Sequence, residues 1–181
     1  MLVEGFGDQT RPLLLFGAGH VGRALAMALA PLPFSVTWVD PRPDAFPAYL
    51  PGNVAAVRAD DPAAVLAAAK PGSFVVIMSH SHQLDLALTA AALADDRFPY
   101  VGLIGSATKR ARFERRLAAS GVPAARIAEL VCPIGVDGID SKLPAVIAAA
   151  TVAELLVRDE ALRVAAVPQN PLYSANASRL S

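Results

Sequence analysis

The chain has 181 residues, 54% of them hydrophobic, and its 16 Lys and Arg balance its 16 Asp and Glu. That length suits one domain with a substantial core rather than two full-sized ones, and the apolar fraction excludes a disordered chain. The charge balance leaves no global field for nucleic acid or an anionic membrane, no apolar run reaches the ~20 residues that span a bilayer, and a lone cysteine, Cys132, excludes an internal disulfide or a polythiolate zinc site.

From Leu13 onward short apolar runs alternate with longer helical patterns, which is how parallel strands joined by crossover helices read in sequence. Strands are expected at Leu13–Phe16, Ser35–Val39, Val54–Val57, Phe74–Met78 and Tyr100–Ile104, with a sixth at Leu130–Cys132. The run Phe74-Val75-Val76-Ile77-Met78 is apolar throughout, as a strand covered on both faces must be. Helices fit Val21–Leu29, Pro62–Ala69, Gln83–Leu93, Lys109–Ala119 and Lys142–Leu162, the last with Ser141 as N-cap and Pro144 in its first turn. The fold class is therefore α/β, a Rossmann-like doubly wound parallel sheet in one domain with a long C-terminal helix. Its expected limits are 11–165, with a lead segment at 1–10 and a polar, loosely docked tail at 166–181. The N-terminus has no basic region followed by an apolar segment, which points to the cytoplasm.

Gly17-Ala18-Gly19-His20-Val21-Gly22 is a GxGxxG sequence placed after a strand and at the head of a helix, the context in which it binds dinucleotides. The first glycine permits the tight turn, the second lets backbone approach a pyrophosphate, and the third lets helix and strand pack closely. Asp40 ends the second strand about twenty residues on, where a carboxylate accepts from a ribose hydroxyl, which favours NAD over a ligand with a 2′-phosphate. Arg42, two residues later, weakens that preference. His20 is either a phosphate donor at the helix start or a solvated residue.

A second turn, Gly105-Ser106-Ala107-Thr108-Lys109-Arg110-Ala111-Arg112, places cations where the helix macrodipole disfavours them. A bound anion accounts for that choice, with Gly105 and Ser106 supplying donors and Lys109 and Arg110 supplying charge; a solvated basic face, extended by Arg115 and Arg116, is the alternative. Ser79-His80-Ser81-His82-Gln83-Leu84-Asp85 follows the fourth strand. His80, His82 and Asp85 allow a two-histidine, one-carboxylate metal set, a ligand-touching cleft floor, or a helix start capped by Ser81 or His82 with Asp85 favoured by the dipole. The reading adopted is a cleft floor with no metal, the buried stripe of that helix running through Leu84, Leu88 and Ala91. Cys132 stands before Pro133 at a strand end, either as a packing residue or as a thiolate that touches a ligand.

Taken together, FGAGHVGRAL, VTWVDPR, SHSHQLDL, YVGLIGSATKRARF and CPIGVDGIDSKLPAVIA resemble the C-terminal domain of the xanthine dehydrogenase accessory proteins, the XdhC/CoxI type, over residues 11–162. The resemblance implies a chaperone that binds molybdenum cofactor, assists its sulfuration and delivers it to xanthine dehydrogenase or a related molybdenum hydroxylase. A cysteine desulfurase and a second copy of the chain are further partners it implies. The matching positions are Gly17, Gly19, Gly22, Asp40, the SHSH segment, Ser106 to Arg110, Cys132 and Ser141 to Pro144. Members of the family carry an additional N-terminal domain, for which this chain leaves no room. The competing readings are an NAD-dependent oxidoreductase and an NAD-sensing regulatory domain without chemistry of its own, both of which the glycine turn and Asp40 allow equally.

Overall fold

The computed structural model describes residues 10–166, so the expected tail apart from Ala166 and the lead segment apart from Thr10 lie outside the described residues. Five parallel strands form one sheet in the order β3-β2-β1-β4-β5: β1 (Arg11–Phe16), β2 (Phe34–Asp40), β3 (Val54–Arg58), β4 (Phe74–Ile77) and β5 (Tyr100–Leu103). The chain moves outward from β1 to β3 and then returns to place β4 on the other side of β1. Connections therefore diverge between the C-terminal ends of β1 and β4, the switch point at which open α/β sheets bind ligands.

Both faces of the sheet are covered, and alternate residues of one strand enter different cores. Leu13 and Leu15 of β1 join Val36, Trp38, Val76 and Tyr100 in the cluster under α1 (His20–Ala28) and α6 (Pro144–Ala166). Leu14 and Phe16 join Val75, Ile77 and Leu103 under α2 (Pro62–Ala67), α3 (His82–Leu93), α4 (Ala107–Ala119) and α5 (Ala124–Ala128). This is the doubly wound architecture expected from the alternation, and no helix among the described residues is long and apolar enough to cross a membrane.

Several expectations need correction. The sixth strand is only a parallel bridge between Gly102 and Val131, in which Leu103 N–H donates to Val131 O at 2.8 Å and Val131 N–H to Val101 O at 3.0 Å. Pro133 has no N–H with which to lengthen that ladder. Helix α5 was not expected, because five residues are too few to show a helical period. Its Arg126 donates to the carbonyls of Leu93 and Asp95 and so satisfies the C-terminus of α3. Helix α6 starts at Pro144 and reaches Ala166. The Leu143 carbonyl accepts from Val146 and Ile147, whereas Ser141 Oγ accepts from Leu143 N–H outside the helix, so Ser141 is not its N-cap.

The C-terminal helix is tied to the first strand by charge as well as by packing. Asp159, buried on α6, accepts from Arg11 Nε at 2.6 Å and from Arg163 Nε at 2.7 Å, and the Arg11 guanidinium lies over the Phe74 ring. Glu154, one turn earlier, accepts from Tyr100 OH and from Gly135 N–H, which fixes the loop after the bridge.

Candidate functional site

The glycine turn follows from three different physical needs. Gly17 has φ +113°, and a Cβ there would stand 2.3 Å from the Met78 carbonyl, so both conformation and space require glycine. A Cβ on Gly22 would stand 2.1 Å from Gly17 O, the same carbonyl that accepts from Trp38 Nε1 at 2.9 Å. Gly19 is different: no heavy atom lies within 4 Å of its Cβ position, and it is exposed. It is the N-cap of α1 with no side-chain cap, and the first turn carries no acid. The first N–H groups of α1 therefore have no side-chain acceptor, and Gly19 and His20 are exposed at the helix start.

Asp40 lies at the end of β2, as expected, but its carboxylate is held inside the protein. Oδ2 accepts from Ala18 N–H at 2.7 Å and from Arg42 Nη2 at 2.8 Å, while Oδ1 accepts from Arg42 N–H at 3.0 Å and Arg42 Nε at 2.8 Å. Four donors fill the acceptor capacity of a carboxylate. Burial alone raises its pKa, but the Arg42 hydrogen bonds and the Ala18 N–H outweigh it and hold it at about 2. The acid thus anchors the glycine turn to β2, and Arg42, at 45% side-chain exposure, covers it.

Across the switch point, Met78 to Ser81 connect β4 to α3, and Asp85 lies in the first turn of that helix. Ser81 is the N-cap of α3, its Oγ accepting from Leu84 N–H at 3.3 Å. His80 and His82 are exposed. Asp85 does much more than favour the helix: it is buried, and Oδ1 accepts from Ser79 Oγ at 2.7 Å and Ser79 N–H at 3.0 Å while Oδ2 accepts from Lys109 Nζ at 2.7 Å. It is therefore turned inward and away from the two imidazoles as a ligand partner, and no group of three or more His, Cys, Asp or Glu able to hold a metal occurs among the described residues. The buried stripe of α3 is Asp85, Leu88, Thr89, Ala92 and Leu93; Ala91 is exposed, contrary to expectation. Two polar residues inside the stripe hid its phase from a hydrophobicity pattern.

Helix α4 begins two residues earlier than expected, with Ser106 as N-cap accepting from Lys109 N–H at 3.2 Å. The Lys109 ammonium also donates to Ile104 O at 2.9 Å, lies over the Phe113 ring and is 11% exposed, so its charge is directed inward at Asp85. Arg110 pairs with Glu114 at 2.7 Å and donates to Cys132 O at 3.2 Å. Thr108, which entered only through the family resemblance, and Arg112, read only as one cation of the turn, line a cavity of about 320 Å³ with His82, Gly105, Ser106 and Lys109. Their signal was the i, i+4 spacing of Thr108 and Arg112 on the outer side of a helix start.

Cys132 is buried beneath this turn; a Cβ on Gly105 would come within 3.1 Å of its sulfur. Burial pushes the Cys132 thiol up, more than Lys109 and Arg110 pull it down, and Glu114 and Asp85 raise it further. The group therefore stands as a packed thiol rather than a thiolate.

A GxGxxG turn at the head of the first crossover helix, next to the switch point of a 3-2-1-4-5 parallel sheet, defines a Rossmann-like domain. The XdhC Rossmann domain family matches residues 13–155, most of the sequence, and the chain belongs to that family. It is 31% identical over 147 residues to the uncharacterized protein YqeB of Escherichia coli (strain K12), aligning 80% of this chain with 26% of that protein. A crystal structure described as a xanthine dehydrogenase from Bacillus halodurans matches with a TM-score of 0.72 at 27% identity, covering 88% of this chain and 45% of that one. The chain thus spans about a quarter of the length of the curated relative and under half of the solved chain.

Proposed function

We propose that this domain is the ligand-binding part of a xanthine dehydrogenase accessory protein, which takes up molybdenum cofactor for sulfuration and delivery to xanthine dehydrogenase or a related molybdenum hydroxylase in the cytoplasm. Membership of the XdhC family carries the reading. The site fits the phosphate-bearing end of such a ligand: Gly19 leaves its Cβ position open, α1 begins with free N–H groups, and Ser106, Thr108 and Arg112 face the cavity across the switch point. The bound cofactor would supply the molybdenum and sulfur chemistry. The chain's own residues would bind and orient it, with Gly17 to Gly22 on one side, Gly105 to Arg112 on the other, and His80 and His82 on the floor.

Lys109 serves this site by positioning, since its ammonium is committed to Asp85 and Ile104 O; Arg110, tied to Glu114 and Cys132 O, braces the turn. A cysteine desulfurase as sulfur source and a second copy of the chain are further proposed partners. The decisive experiment titrates the chain in parallel with molybdenum cofactor, NAD and NADP, and then measures activation of cofactor-free xanthine dehydrogenase. Cofactor binding with activation is the expected result; tight NAD binding with no cofactor binding overturns the chaperone reading. The glycine turn also favours a second reading, a dinucleotide sensor or NAD-dependent oxidoreductase. Substrate-dependent NADH formation identifies the enzyme, and a change of assembly on NAD binding without turnover identifies the sensor.

A further inference from the structure

We propose that Arg42, not Asp40, reads the ribose of a dinucleotide held at the glycine turn, and that the site selects a nucleotide carrying a phosphate on that ribose over one with free hydroxyls. The inference rests on the reading of Gly17 to Gly22 as a dinucleotide site. At the end of the second strand of such a site, a carboxylate accepts from ribose hydroxyls, whereas an arginine accommodates a ribose 2′-phosphate. Here both residue types are present, and the geometry decides between them.

The Asp40 side chain has no exposed surface, and its four acceptor positions are filled by Ala18 N–H and three Arg42 donors. A ribose hydroxyl can reach it only by displacing the guanidinium from a bidentate, buried pair. Arg42 offers the opposite. Of the five N–H bonds of a guanidinium, two are directed at Asp40 through Nε and Nη2, which leaves three for a ligand on a side chain 45% exposed. The bidentate contact also fixes the plane of the guanidinium, so that an incoming phosphate meets a pre-oriented donor set.

A second cation lies on the neighbouring strand. Arg58 occupies the position on β3 in register with Asp40, and its own pairing is weak: the contact to Asp60 is 3.9 Å long, with the two side chains 59% and 89% exposed. The end of the β2-β3 edge thus presents two arginines, the enclosed and already neutralised carboxylate of Asp40, and the exposed carboxylate of Asp60, which is held only weakly by Arg58. A phosphomonoester is the chemistry that such a pair of arginines recognises, and a neutral diol gains little from it.

The test uses calorimetric titration of the full chain with two ligand pairs, NADP against NAD and adenosine 2′,5′-bisphosphate against AMP. The phosphorylated member of each pair is expected to bind at least about tenfold more tightly at low salt, with the gap narrowing as salt rises. Arg42→Ala should remove the preference, and Arg58→Ala, which leaves the Asp40 contacts untouched, should reduce it. Equal affinity within the pairs, tighter binding of NAD and AMP, or a preference that survives in Arg42→Ala overturns the assignment while leaving the dinucleotide site standing. Absence of binding for all four ligands overturns the dinucleotide site and this inference together. Should Arg42→Ala fail to fold, the Arg58→Ala titration decides, an unchanged preference counting against the proposal.

Discussion

Lys109 lies in the first turn of α4, where the macrodipole opposes a cation, and Asp85 lies in the first turn of the neighbouring α3, where it is favoured. Their 2.7 Å contact joins the two helix starts across the ends of β4 and β5. Removing one member of a buried pair typically costs about 3–5 kcal/mol, because the other charge remains buried. Lys109→Met, which keeps the aliphatic stem, should lower unfolding free energy by roughly 3 kcal/mol in urea denaturation. A loss below about 1 kcal/mol would mean that water replaces the ammonium. Asp40 makes a pH prediction. Its folded pKa of about 2 lies below the ordinary 3.8, so its contribution is fully present above about pH 4 and is lost as pH falls through about 2. About 2 kcal/mol of stability should disappear over that window, and Asp40→Asn should show a smaller dependence in urea unfolding from about pH 5 to about pH 2. The buried thiol of Cys132 should react with a thiol reagent far more slowly in the native chain than in the unfolded one; equal rates would contradict the burial.

The elements around the site divide their glycines between folding and binding. Gly17→Ala places a methyl against the Met78 carbonyl at a positive φ, and should destabilise by several kcal/mol or abolish folding. Gly19→Ala meets nothing within 4 Å and φ there is −76°, so stability should change by about 1 kcal/mol or less. Nucleotide affinity should nevertheless fall by about tenfold or more, because the methyl would fill the space through which a phosphate approaches. Thermal melting and titration of the same two variants separate the roles. Equal thermal losses in both would show that Gly19 is structural.

Over the whole molecule, α6 closes the face of the sheet on which α1 also lies, burying Ala148, Ala150 and Leu155. Asp159 fastens its C-terminal half to β1 through Arg11. Asp159→Ala breaks two charge-assisted bonds, each worth about 1.5–3 kcal/mol, and leaves Arg11 with Gly72 O and the Phe74 ring. The expected outcome is a loss of about 3 kcal/mol and faster amide exchange in the last turns of α6, read by hydrogen exchange mass spectrometry. Unchanged exchange there would show that packing alone holds the helix.

Much of this was legible in sequence because it is periodic or local. Continuous apolar runs such as Phe74 to Met78 require strands buried on both faces, and a glycine turn between strand and helix determines its own backbone. The fold class and the place of Gly17, Gly19 and Gly22 follow from such signals, whereas the structure chose Ser81 over His82 as the cap of α3. Pairing between distant charges carries no periodic signature. Asp85 meets Lys109 across 24 positions, Asp40 is enclosed by Ala18 from 22 positions away together with its neighbour Arg42, and Arg11 meets Asp159 across 148. Sequence by itself determined the five parallel strands, the crossover helices other than α5, and the glycine turn between β1 and α1. Only the tertiary structure decided which charges face that turn, because an ionised group that the fold buries must take its nearest counter-charge, and one left outside remains for a ligand.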